Sequence, residues 1–205
     1  MKRRILLAAW ACAACLPLAA RAQGVELAGI KYPPSAQLGN ATLQLNGAGI
    51  RYKFVIKVYT AGLYLGAKAA TAEAVLAAPG PKRMHVVMLR DIDGNDLGKL
   101  FTRGMQDNSS REDFGKSIPG TIRMAELFAA KKRLAQGENF SVEFLPGQGT
   151  TIFINGKAQG DAIKEPEFFN ALLRIWLGPN PADANLKDAL LGLPPRQTQS
   201  QMQTQ

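Results

Sequence analysis

Residues 45–65 read LNGAGIRYKFVIKVYTAGLYL, and the fold turns on how this stretch is divided. The preceding residues, Ala41 to Leu45, alternate like a strand and run into Asn46-Gly47, a pair suited to the positive-φ positions of a two-residue hairpin turn. The pattern predicts a hairpin that closes there, with a return arm from Ile50 to Tyr59. Period-two alternation puts Tyr52, Phe54, Ile56 and Val58 on one face of that arm, and Arg51, Lys53, Val55, Lys57 and Tyr59 on the other. Thr60 to Leu65 continues the strand, with a bend at Gly62. Gly47-Ala48-Gly49 is a lone G-x-G with no helix behind it, so it reads as tight-turn glycine rather than a phosphate-binding loop.

Working outward, Ala67 to Ala78 is alanine-rich and stopped by Pro79-Gly80-Pro81, which predicts a helix. Met84 to Leu89 is nearly all apolar, the mark of a buried central strand. Asp96 to Gln106 places Leu97, Leu100, Phe101 and Met105 on one helical face. A second long helix is expected from Gly120 to Ala135, with Pro119 at its start. Phe140 to Phe144 and Thr150 to Ile154 alternate as strands, and Asn155-Gly156 begins another turn. Helices from Pro166 to Leu177 and from Asn185 to Leu191 follow, the last ended by Gly192. This order predicts an α+β domain in which helices cover one side of a mostly antiparallel sheet.

The ends have a different character. Residues 1–22 have the parts of a signal peptide: basic Lys2, Arg3 and Arg4, an apolar stretch from Ile5 to Ala20, and the cleavage pattern Ala20-Arg21-Ala22. The apolar stretch falls short of the ~20 residues that span a bilayer, so cleavage and export, most simply to a periplasm, are expected and a retained membrane anchor is not. Residues 23–195 form the expected domain, and 196–205, rich in Gln and without an apolar face, a disordered tail. Cys12 and Cys15 both lie in the leader, which leaves the domain without disulfides, a thiol nucleophile or thiolate metal ligands. Loss of the leader's cations lowers the net charge from +9 to a mildly basic value. The basic residues are scattered among acids, unlike a nucleic-acid-binding stripe; a preference for anionic ligands or an anionic membrane surface stays open.

Little else carries chemistry. His85, the single histidine, sits in the apolar strand and reads as a hydrogen-bonded core or edge residue. Asp91, Asp93 and Asp96 lie around Gly94 without the twelfth-position glutamate of a calcium loop, so they read as a helix-capping turn. No cofactor, metal or catalytic group is predicted.

One combination of motifs is more specific. GAGIR at residues 47–51, KVYTAGLYL at 57–65, ALLRIWLG at 171–178 and LKDALLG at 186–192 together resemble a bacterial member of the chalcone isomerase-like family. The resemblance runs from about Val25 to Leu193 and implies an open-faced β-sandwich, a large antiparallel sheet layered with helices. Plant isomerases of the family use an arginine, a threonine in a K-F-T-A-x-G-x-Y-L strand and a Y-x-x-K-x-x-x-N helix motif. Here Tyr59 takes the threonine's place, and Arg111 to Ser117 contains no such helix motif. The resemblance therefore implies no chalcone isomerase activity.

Fatty-acid-binding relatives pair an arginine with a tyrosine on the ligand's carboxylate, and Arg51 and Tyr59 are the matching types. A guanidinium fork and a phenol make a chemically sound carboxylate clamp beside an apolar cavity. On one straight strand, however, the two residues stand ~26 Å apart, and only a bend or bulge would bring them together. Tyr64 and Lys57 are weaker candidates. The leading expectation is an exported, non-catalytic protein that holds a fatty acid or similar apolar carboxylate. An isomerase or lyase using Arg51 to stabilise an oxyanion is a second, and an interaction scaffold presenting Phe168, Phe169 and Trp176 to an unknown protein partner is a third.

Overall fold

Strand pairing runs straight through Asn46-Gly47. The computed structural model describes residues 24–194; the expected leader and polar tail lie outside the described residues. The strands are β1 (Val25–Leu27), β2 (Ile30–Tyr32), β3 (Ser35–Leu38), β4 (Ala41–Lys53), β5 (Ile56–Leu65) and β6 (Lys82–Met88), followed by β7 (Ile92–Asp93), β8 (Arg133–Leu134), β9 (Asn139–Leu145), β10 (Gly149–Ile154) and β11 (Lys157–Ala158). The helices are α1 (Ala72–Ala77), α2 (Gly94–Asp107), α3 (Arg111–Lys131), α4 (Pro166–Leu177) and α5 (Ala184–Leu190). Seven strands form one antiparallel sheet in the order β11-β10-β9-β6-β5-β4-β3. The apolar strand β6 takes the central position, as its composition predicts.

Alternation sorts the two faces. Tyr59, Ala61, Leu63 and Leu65 of β5, Met84, Val86 and Met88 of β6, and Phe140 and Val142 of β9 meet the helices in the main core. On the opposite face Tyr32, Leu38, Leu43, Leu45 and Tyr64 form a second apolar cluster under the β1–β2 hairpin. Gly62 makes room for the Tyr32 ring, since a Cβ there would come within 2.4 Å of it.

The predicted turn at Asn46-Gly47 is a β-bulge. Register shifts between Leu45 and Gly47, which pair with Tyr64 and Leu63 and leave Asn46 as the extra residue. Its buried amide donates to the carbonyls of Ala69 (2.9 Å) and Leu190 (2.8 Å) and accepts from the Ala69 N–H (2.7 Å). Those long-range bonds outweigh the local turn preference. Gly47 and Gly49 allow α5 to lie on β4, because a Cβ at Gly47 would sit 2.0 Å from the Ala189 carbonyl oxygen. The true hairpin turn is Phe54-Val55, between the Lys53–Ile56 pair, so the expected single arm from Ile50 to Tyr59 is two strands.

The helices match the sequence unevenly. α4 has the predicted bounds, whereas the helix expected over Ala67–Ala78 shrinks to α1, capped by Thr71. α3 starts well before Pro119, which lies inside it; Ser110 supplies the cap, its hydroxyl accepting from the Asp113 N–H. That cap fixes the start more strongly than the proline, which cannot donate in the helix but does not end it. Asp93 caps α2 by accepting from the Asp96 N–H at 3.0 Å, the role read for the aspartate cluster. Phe168, Phe169 and Trp176 are fully buried, which removes the exposed aromatic face that the scaffold reading required. No helix among the described residues is long and apolar enough to cross a membrane.

Two outcomes follow for stability. Asn46→Ala removes three hydrogen bonds at a buried bulge and should lower unfolding free energy by about 3 kcal/mol in urea titrations. His85, partly buried with its ring edge-on to Tyr32, has its pKa pushed down to about 4 by desolvation and then by the Arg83 charge. The unfolded chain therefore takes up the proton first, near the ordinary 6.5, and His85's contribution is complete above that pH and lost as pH falls towards 4. Between those pH values the wild type should lose about 1–2 kcal/mol more than His85→Gln, the partial exposure of the ring limiting the effect.

Candidate functional site

The bulge at Asn46 reverses which residues of β4 face the helices. Before it, Leu43 and Leu45 point to the second cluster; after it, Gly47 and Gly49 lie against α5 on the main-core side, and Arg51 follows in phase. Arg51 is thereby paired directly with Tyr59 across the hairpin, and a second register shift follows at once, leaving Val58 as the extra residue. The ~26 Å separation expected on a straight strand is replaced by cross-strand adjacency.

Both side chains line a cleft of about 500 Å³ between the base of the β4–β5 hairpin, the residues after β6, helix α2 and the segment after α4. Val58, Ile92, Leu97, Phe101, Ile175 and Ala182 supply its apolar surface. Leu100, expected in the core, is 58% exposed and also lines this cleft. The inner end is packed solid: Phe101 meets Phe128, Phe140 and Trp176 edge-on at centroid distances of 5.6, 5.8 and 5.6 Å.

Tyr59 is 5% exposed, and its hydroxyl accepts a hydrogen bond from Trp176 Nε1 at 2.9 Å. Burial drives its pKa up to about 12 against the opposing pull of the Trp176 bond and the Arg51 charge. The phenol therefore keeps its proton at ordinary pH and is available as a donor to an anion. The guanidinium of Arg51 donates to the Tyr52 carbonyl. The hairpin base is held to the α5 N-cap, since Asp183 accepts from the Tyr52 N–H at 2.9 Å while also accepting from Asn185 and Leu186. Opposite, Asn108 joins α2 to the segment after α4 through both amide groups, bonding Gly104 and Asn180.

Charge is divided across the cleft. Asp91 is paired with Arg133 at 2.9 Å, Asp93 is spent on the helix cap, and Asp107 faces Arg103 at 3.5 Å. Arg51, Lys53 and Arg90, on the hairpin side, join no ion pair among the described residues. That side favours an anion. No group of three or more His, Cys, Asp or Glu side chains among the described residues is arranged to hold a metal.

A family model described as chalcone isomerase-like matches residues 24–192. The chain belongs to the chalcone isomerase-like family. Its fold is shared by a crystal structure of a fatty-acid binding protein from Arabidopsis thaliana, with a TM-score of 0.64 and 15% identity over 82% of this chain and 95% of that one. No curated protein matches the sequence. In this chalcone isomerase-like chain Arg51 and Tyr59 come together, whereas Tyr64 lies on the other face with its hydroxyl on the Pro33 carbonyl, and Lys57 is exposed beyond the cleft. The segment Arg111 to Ser117 is the start of α3, where Asp113 receives a bond from Arg174 at 3.1 Å.

Sequence reasoning missed Lys53, Arg90 and the Trp176 indole as parts of this site. Arg90 carried one usable signal, a cation immediately after the C-terminal end of a buried strand. Trp176 was visible only as a core residue, because its bond to Tyr59 spans 117 positions. Replacing Tyr59 by Phe should leave that buried indole N–H without its acceptor and lower stability by about 1–2 kcal/mol, with a changed near-ultraviolet tryptophan signal.

Proposed function

We propose that this protein is an exported, non-catalytic carrier that holds a fatty acid or similar apolar carboxylate in the cleft beside the β4–β5 hairpin. The observation that carries the reading is the cross-strand pairing of Arg51 with Tyr59 on a cleft with an apolar floor. A carboxylate there receives charge-assisted bonds from the guanidinium and one from a phenol that stays protonated. Lys53 and Arg90 add long-range attraction without carboxylates bound to them. The volume lies within the roughly 300–1,000 Å³ range of small-ligand sites. The Arabidopsis protein of the same fold, described as a fatty-acid binding protein, supports the ligand class.

The aromatic cluster at the inner end also shapes the ligand. Phe101 blocks a tail from running between the sheet and the helices, so the tail lies along α2 towards Leu100. The reading therefore favours compact or medium-length acids over long straight ones.

The test is native purification followed by solvent extraction and mass spectrometry, with titration of fatty acids of graded length. The expected result is a stoichiometric acid in the wild type and a loss of affinity of about ten- to a hundredfold in Arg51→Ala, the worth of a charge-assisted bond. Absence of any co-purifying acid together with no measurable binding in titration would overturn the proposal.

A further inference from the structure

The β4–β5 hairpin extends past its neighbours. The last pair joining β5 to β6 is Tyr59 with Met88, supplemented by a bond from the Leu89 N–H to the Val58 carbonyl. Beyond it Tyr52 and Lys53 pair only with Lys57 and Ile56 in a two-stranded ribbon. At its end Phe54 is 92% and Val55 90% exposed, and Ile56 and Tyr52 beside them are also exposed. Phe54 moreover sits at φ +55°, the first central position of a tight turn where glycine is the ordinary occupant. An aromatic residue held in a disfavoured backbone region and in water is retained against two separate costs.

The charges around the tip restrict what covers it. Arg51, Lys53 and Lys57 flank the apolar residues; Asp183, at the base of the ribbon, is engaged by the Tyr52, Asn185 and Leu186 N–H groups, and the sequence has no acidic residue between Glu26 and Glu73. A second copy docking tip to tip would set these cations against one another. A globular partner needs about 800 Å² on each side for a stable interface, which a two-residue tip does not provide. A lipid surface requires no matching shape: apolar side chains enter the boundary of the acyl region while cations meet anionic head groups.

We infer that the Lys53–Ile56 tip inserts into the interface of an anionic lipid bilayer, docking the protein there. Lys53 also lines the cleft, so docking brings the mouth of the cleft to the membrane surface. The inference stands on the hairpin alone and is independent of the carboxylate reading, because vesicle binding and acid binding are separate measurements.

The experiment mixes the chain from Gln23 onward, without the expected leader, with phosphatidylcholine vesicles containing or lacking phosphatidylglycerol. It reads sedimentation with the vesicles and hydrogen exchange of amides 52–57. Anionic vesicles should slow exchange at the tip. Phe54→Gly should weaken the sedimentation attributable to the tip about tenfold or more while leaving thermal stability equal or higher, since glycine suits the turn. Lys53→Ser with Lys57→Ser should also weaken binding about tenfold and flatten its salt dependence. The inference is overturned if the tip amides exchange alike with and without anionic vesicles, or if Phe54→Gly leaves their protection intact. Concentration-dependent self-association without lipid, abolished in Phe54→Gly, would also overturn it by assigning the tip to a second copy.

Discussion

Three hydrogen bonds made by one buried amide hold the cleft end of this molecule in place. Asn46, squeezed out of register in β4, is tied to Ala69 on one side and to the end of α5 on the other. An extra residue in a strand costs a ladder position, and the side chain's own bonds offset that loss. Every residue beyond it on β4 then faces the other way. The glycines turn to the helix layer, α5 packs on them, and Arg51 comes to stand opposite Tyr59.

The same economy of parts appears in the cleft. Tyr59 belongs to the main core by its ring and to the cleft by its hydroxyl, and Trp176, itself a core residue, holds that hydroxyl in place. Burial keeps the phenol neutral, which makes it a donor without adding a charge beside Arg51. Asp91, Asp93 and Asp107 on the far wall are engaged by a cation or a helix cap, whereas Arg51, Lys53 and Arg90 join no ion pair among the described residues. A cleft whose lining sums to both signs thus has a polarity set by which charges are already satisfied.

The sequence made the layer order legible because each layer rests on a local pattern. The apolar run of β6, the alternation in β9 and β10, and the amphipathic face of α4 were all readable, and the family motifs pointed to the same sheet and helices. Arg51 and Tyr59 were nameable by residue type and motif. Their meeting was not, since it depends on Asn46-Gly47 being a bulge and Phe54-Val55 being a turn, the reverse of local preference. The first reversal comes from distant contacts: Leu190 reaching Asn46, and α5 pressing on glycines that admit it. The start of α3 was misplaced for a related reason, as Pro119 is a louder signal than Ser110 although the serine makes the cap.

The bond from Asn46 to the Leu190 carbonyl closes a loop of 144 residues. Contacts of that span form late, because the entropy of closing the chain is lost before the contact repays it. In chain order β4 ends at Lys53 and α5 begins at Ala184, so until α5 docks the bulge has only its Ala69 partner. The Arg51–Tyr59 pairing thus rests on a contact that spans most of the described residues.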